Sequence, residues 1–189
     1  MNTFSFSQMS SRYQKRVSGR RAMAERAGVV LSSAKRAIFA LHRQDKRQAA
    51  QELSTARAAC TAGAKHFRVD LTEGGEGVWR AGLEEYCEAI LFFEFMTRGS
   101  IKSAKLPTDD PEIVIGGLSD FTGELSRQAV LKATAHDKQA VEDMYLAVRD
   151  IIAILLKLDL TGNVRNKFDQ AKRNLRHLEE LRYDLSRRV

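Results

Sequence analysis

Two pairs of carboxylates interrupt the most apolar stretches of this chain: Glu85 and Glu88 within Leu83-Glu-Glu-Tyr-Cys-Glu-Ala-Ile-Leu-Phe-Phe93, and Asp120 and Glu124 within Leu118-Ser-Asp-Phe-Thr-Gly-Glu-Leu125. An ionised carboxylate taken out of water without a partner is strongly unfavourable, so such groups stay neutral, find a cationic side chain or hold a metal ion. On helices, the three-residue spacing of the first pair and the four-residue spacing of the second project each pair from one face. Packing the two faces together would gather four oxygen donors, a set that favours Mg²⁺ or Mn²⁺ over zinc. A di-iron bundle site would need Glu-x-x-His, and none of His42, His66, His136 or His177 has a Glu three residues before it. The competing reading of the acids is salt bridging to Arg80, Arg98 or Arg127, with Glu84 simply exposed. No nucleophile sits in a recognisable elbow and the histidines are scattered, so Ser-His-Asp and Cys-His catalysis find no support.

The elements that must carry these residues read as helices, and nothing alternates as a strand. Ala22 to His42 places Ala27, Val30, Leu31, Ala34, Ile38 and Leu41 at three- and four-residue spacings, an amphipathic helix with Lys35 and Arg36 alongside. Gln44 to Phe67 is a second, alanine-rich helix, followed by a Gly74-Gly75-Glu76-Gly77 turn that lacks the residues of a phosphate loop. Val78 to Thr97 is the most apolar, with Gly99 as its stop. Asp110 before Pro111 is an N-cap with proline at the first helical position, opening a helix to about Thr134. Asp137 caps a fifth to about Leu158, and Thr161-Gly162 separates it from a sixth, Val164 to Ser186. Gly116, Gly117 and Gly123 flank the acids of the fourth helix, where missing side chains allow close helix approach or room for a ligand. The expectation is an all-α, single-domain antiparallel bundle of about six or seven helices spanning 1–189.

Composition frames the partners. With 189 residues, 43% hydrophobic and 29% charged, the chain can build a substantial core. No signal-peptide h-region is visible at the N-terminus, and no apolar run approaches the roughly 18 residues of a membrane span, so a cytoplasmic protein without a membrane is expected. Cys60 and Cys87 form no Cys-x-x-Cys pair and read as two reduced, packed thiols. The net charge of +7 is uneven. Residues 1–50 hold eleven Lys and Arg against two acids, and residues 161–189 hold eight against four, which leaves the middle at −6. The N-terminal cluster Arg12, Lys15, Arg16, Arg20 and Arg21 suits contact with a polyanion; the alternative is a solvated helix face.

Four segments resemble the translin and TRAX family: Ser33-Ala-Lys-Arg-Ala-Ile-Phe-Ala-Leu-His-Arg43, Trp79-Arg-Ala-Gly-Leu-Glu-Glu-Tyr-Cys-Glu-Ala89, Gly117-Leu-Ser-Asp-Phe-Thr-Gly-Glu-Leu125, and Val164-Arg-Asn-Lys-Phe-Asp169 leading to Glu179-Glu-Leu-Arg-Tyr-Asp-Leu-Ser-Arg187. The Glu-Tyr-x-Glu-Ala and Asp-Phe-Thr-Gly-Glu pieces look like TRAX, the catalytic branch. The resemblance implies a seven-helix bundle that assembles into closed hollow oligomers, an octamer by family precedent, with Mg²⁺-dependent endoribonuclease activity on single-stranded RNA. It places Glu85, Glu88 and Asp120 on the catalytic, metal-binding carboxylates, Glu124 beside them as a fourth, and Lys35, Arg36 and Arg80 on nucleic-acid-binding segments. The chain lacks the long loop insertion and basic N-terminal extension of eukaryotic TRAX, which favours a self-sufficient homo-oligomer over an obligatory translin-type partner.

Three functions of different class follow. The first is a metal-dependent endoribonuclease acting on single-stranded RNA, with single-stranded DNA as an alternative substrate. The second is a non-catalytic single-strand-binding protein whose acids are structural. The third is a helical scaffold for protein partners.

Overall fold

The computed structural model describes residues 5–67 and 76–187. Among the described residues there are six helices and no strand: α1 Phe6–His42, α2 Lys46–Phe67, α3 Glu76–Arg98, α4 Pro111–Thr134, α5 Lys138–Leu155 and α6 Gly162–Arg187. The connections α1–α2, α4–α5 and α5–α6 are only a few residues long, which forces successive packed helices to run antiparallel. α1 packs on α2 and α3, α4 packs on α5 and α6, and the α3–α4 contact joins the two groups. That contact is where the carboxylate pairs meet.

Local chemistry explains the boundaries. Asp110 accepts from the backbone N–H groups of Glu112 and Ile113, so α4 opens as the Asp-Pro signal predicts. Gly99 adopts φ +69° and its N–H donates to Phe95 O, the left-handed stop that lets α3 end. α2 starts at Lys46 rather than Gln44 because Gln44 has φ +64° and Asp45 caps the helix by accepting from Gln48 N. α5 ends three residues before the expected Leu158. The large departure is α1, which begins at Phe6 and runs 37 residues instead of starting at Ala22. Its first turns bury nothing before Met23, so the apolar periodicity that marks a helix in sequence is absent there. The expected Gly74-Gly75-Glu76-Gly77 turn begins outside the described residues.

A continuous apolar cluster draws on all six helices. Phe92 of α3 and Phe121 of α4 are fully buried with ring centroids 6.5 Å apart, and Phe95 meets Phe121 edge-on at 6.0 Å. Since Phe121 follows Asp120, its anchoring in the core also fixes the backbone that carries the acid. Cys60 and Cys87 are free and buried, and burial pushes the Cys87 thiol up to about 12, which keeps it unreactive.

Candidate functional site

Two glycines decide how closely α3 and α4 approach. A Cβ at Gly117 would stand 2.7 Å from Cys87 Cβ and 2.9 Å from the backbone oxygen of Glu84, distances that real side chains do not tolerate. Beside it, Gly116 leaves the space that the Glu84 carboxylate occupies. Gly123 plays a lesser part, since a Cβ there would merely touch Asn174 at 3.4 Å. The loss in helix propensity, about 1 kcal/mol per glycine, is offset by backbone-close packing that sets the acids of α3 against those of α4.

Glu88 lies at the centre and is only 7% exposed. Burial first, and then the charges of Glu85, Asp120 and Glu124, push its carboxyl up to about 9; Lys167 offsets part of this. Glu85 is raised as well, by burial and by the charges of Asp120 and Glu124, against the opposing influence of Lys35 and Lys167. The four acids selected from sequence therefore share one electrostatic neighbourhood.

Two side chains that the spacing of the acids does not reveal enter this neighbourhood. Lys167 of α6 donates to Asp120 Oδ2 and, at 2.7 Å, to Glu84 Oε1. Burial lowers the Lys167 ammonium, but the hydrogen bonds to Asp120 and Glu84 outweigh it and hold it above the usual lysine value. His42 of α1, its side chain only 4% exposed, is hydrogen bonded through Nε2 to Glu124 Oε2 and donates through Nδ1 to Gln128 Oε1 at 3.0 Å. Sequence does carry a signal for both. Lys167 lies on the stripe Val164, Phe168, Ala171, Leu175 and Leu178, and His42 continues Ala34, Ile38 and Leu41. A cation on an apolar stripe must meet an anion or stay neutral.

The expected ion pairs fall elsewhere. Glu84 is not simply exposed but paired with Lys167. Arg80 makes hydrogen bonds to Asp110 at 2.6 and 3.3 Å and to Glu112 at 2.9 Å, clamping α3 to the start of α4 and holding the Asp110 carboxyl below its ordinary value. Arg98 pairs with Glu94 within α3. Arg36 bonds Glu52 of α2 and Ser33, while Lys35 is exposed beside the cluster and acts electrostatically on Glu85.

The residue types suit a hard divalent cation: four carboxylates lie within electrostatic reach of one another, and burial, reinforced by the neighbouring acids, keeps the Glu88 carboxyl raised. Glu85, Glu88 and Asp120 are the residues that would hold such an ion, with Glu124 adjoining. Among the described residues no group of three His, Cys, Asp or Glu is already arranged to hold a metal ion. Asp120 is engaged by Lys167 and Glu124 by His42, so a bound ion would have to draw at least one of them away.

Comparison with solved structures shows what this arrangement of helices is similar to. The crystal structure of apo-NeC3PO superposes with a TM-score of 0.87 over 98% of this chain and 99% of that one, at 17% identity. A complex described as AfC3PO with duplex RNA gives 0.86 over 95% of each chain, and the crystal structure of AfC3PO gives 0.86 over 95% and 96%, both at 19% identity. Comparison with curated protein sequences returns no match. No helix among the described residues is long and apolar enough to cross a membrane. The sequence model of one family covers residues 24–189, nearly the whole span from the buried part of α1 onward, and on that match the chain belongs to the Translin family.

Proposed function

We propose that the protein is a metal-dependent endoribonuclease of the TRAX type. The observation that carries the reading is Glu88: a carboxyl buried on α3 among Glu85, Asp120 and Glu124, in a place made by the glycine-lined approach of α4. A purely structural position would be filled more favourably by an apolar side chain, because a buried ionisable group stabilises little and opposes folding when unpaired. Glu85, Glu88 and Asp120 would hold Mg²⁺ or Mn²⁺, with Glu124 as the neighbouring fourth acid. Bound there, the ion would polarise a scissile phosphate and lower the pKa of an attacking water. Lys35, exposed and within electrostatic reach of Glu85, would attract a polyanion to the cluster, and the basic residues of α1 from Arg12 to Arg21 would extend the attraction. Arg36 and Arg80 contribute as cations already braced by acidic neighbours. That a solved structure of the same fold is described as a duplex RNA complex supports RNA as the ligand class. The same reading takes the working form to be a closed, hollow homo-oligomer in the cytoplasm, an octamer by family precedent.

A non-catalytic nucleic-acid-binding protein is the second reading, and one observation favours it. Lys167 and His42 already partner Asp120 and Glu124, which is what structural acids require. One experiment separates the two: labelled single-stranded and duplex RNA incubated with the protein in Mg²⁺ or in EDTA, beside Glu88→Ala. Mg²⁺-dependent cutting that the variant loses while it still binds RNA is expected. Binding without cutting in every condition would transfer the assignment to the second reading.

A further inference from the structure

Lys167 touches the cluster in a way that bears on when the cluster can accept an ion. Its ammonium has three donors, and two are committed, one to Asp120 Oδ2 and one to Glu84 Oε1. It joins α6 to both α4 and α3, and its side chain is 22% exposed, so the charge is partly desolvated. A divalent cation at Asp120 would need lone pairs that Lys167 now takes, and would bring two further positive charges close to the first. Both effects oppose metal uptake. In the protein without metal the same ammonium relieves repulsion among the carboxylates. The two acids it bridges differ: Asp120 belongs to the proposed metal-binding set, whereas Glu84 does not and sits in space that Gly116 leaves open. Glu84 is thus an anchor to which the lysine stays attached once Asp120 is withdrawn.

We propose that Lys167 is a resident counter-ion that competes with the divalent cation for Asp120, setting a high threshold concentration for metal, and that Glu84 retains it when the metal binds. The inference rests on the nuclease reading only in taking the cluster to be a metal site. Lys167 is a positioning residue here, and no substrate contact is assigned to it.

The test is Mn²⁺ binding to the purified full chain without RNA, followed by calorimetry, for wild type, Lys167→Met, Lys167→Gln and the charge-retaining Lys167→Arg. Removing one unit charge a few ångströms from the ion should tighten Mn²⁺ binding about tenfold in the Met and Gln variants and leave Arg close to wild type. A lysine that merely braced the helices would give equal or weaker binding in the Met and Gln variants. That result, with wild type binding Mn²⁺ normally, overturns the inference and leaves the nuclease reading intact. Wild type that takes up no Mn²⁺ at millimolar concentration overturns both. The unaltered protein gives a second readout that does not depend on the variants folding: the side-chain NMR signal of Lys167 should move as Mg²⁺ is added. Saturation by Mg²⁺ with that signal unmoved would equally overturn the inference.

Discussion

His42 on α1 is hydrogen bonded to Glu124 on α4, 82 positions away, and its other ring nitrogen donates to Gln128 one turn further along the same helix. Both ring nitrogens are thereby engaged by side chains of α4, one by a carboxylate and the other by an amide. The imidazole also packs on Phe92 with ring centroids 5.0 Å apart. A single side chain thereby fixes the direction of the fourth acid and closes the end of α1 over the core, as the outer partners of metal-site ligands do elsewhere.

Replacing this histidine should be costly. His42→Ala would leave the buried Gln128 amide and the Glu124 carboxylate without their partner and open a gap against Phe92. Urea denaturation should show a loss of roughly 2–3 kcal/mol in unfolding free energy. A loss below about 0.5 kcal/mol would mean that the contact does not order Glu124.

The pH dependence of stability follows from Glu88. Its folded-state pKa, about 9, lies above the ordinary glutamate value of 4.5, so the folded protein holds a proton that the unfolded chain releases. Its stabilising contribution is complete below about pH 4.5 and is lost as pH rises through 9, on the order of 1 kcal/mol per pH unit between. Glu85, also raised, acts in the same direction. The lowered acids Asp110, Asp137 and Asp169 act below about pH 4, outside this window. In EDTA the melting temperature should therefore fall from pH 6 to pH 9, and Glu88→Gln should flatten that slope and melt higher at pH 8. A wild-type melting temperature that is level or rises over this range would rule out a proton on Glu88.

Two glycine substitutions should have opposite signs. Gly28 lies exposed in the interior of α1 with nothing within 4 Å of a new Cβ, so Gly28→Ala should stabilise by roughly 0.5–1 kcal/mol. Gly117→Ala would drive a methyl into Cys87 and the α3 backbone and should destabilise by about 1–3 kcal/mol. It should also weaken the upward shift of Glu88 by moving the helices apart, visible as a shallower pH slope. Equal effects from the two alanines would show that the α3–α4 approach is not set by backbone contact.

Much of this arrangement was legible in the residues because it is local. The Asp110-Pro111 start, the Gly99 stop and the shared face of each carboxylate pair depend only on neighbours along the chain. Spacing says which residues share a face but not what that face meets. Arg80 is close to the acids in sequence and pairs with the cap of α4 instead, while Lys167, 47 positions from Asp120, supplies the cation. Among the seven Lys and Arg of α6, the one that points inward is marked only by its place on the apolar stripe. The early turns of α1 left no trace because they bury nothing.

The position of Lys167 on the final helix gives the site a history during synthesis. As the chain emerges from its N-terminus, α1, α3 and α4 become available first, and they carry His42 and all of the acids. The lysine that bridges Glu84 and Asp120 arrives only with α6, which begins at Gly162. Until then any pairing of α3 with α4 would bring carboxylates together without the cation that bridges Glu84 and Asp120. Docking of the last helix supplies that cation, so no shorter nascent product presents the finished cluster.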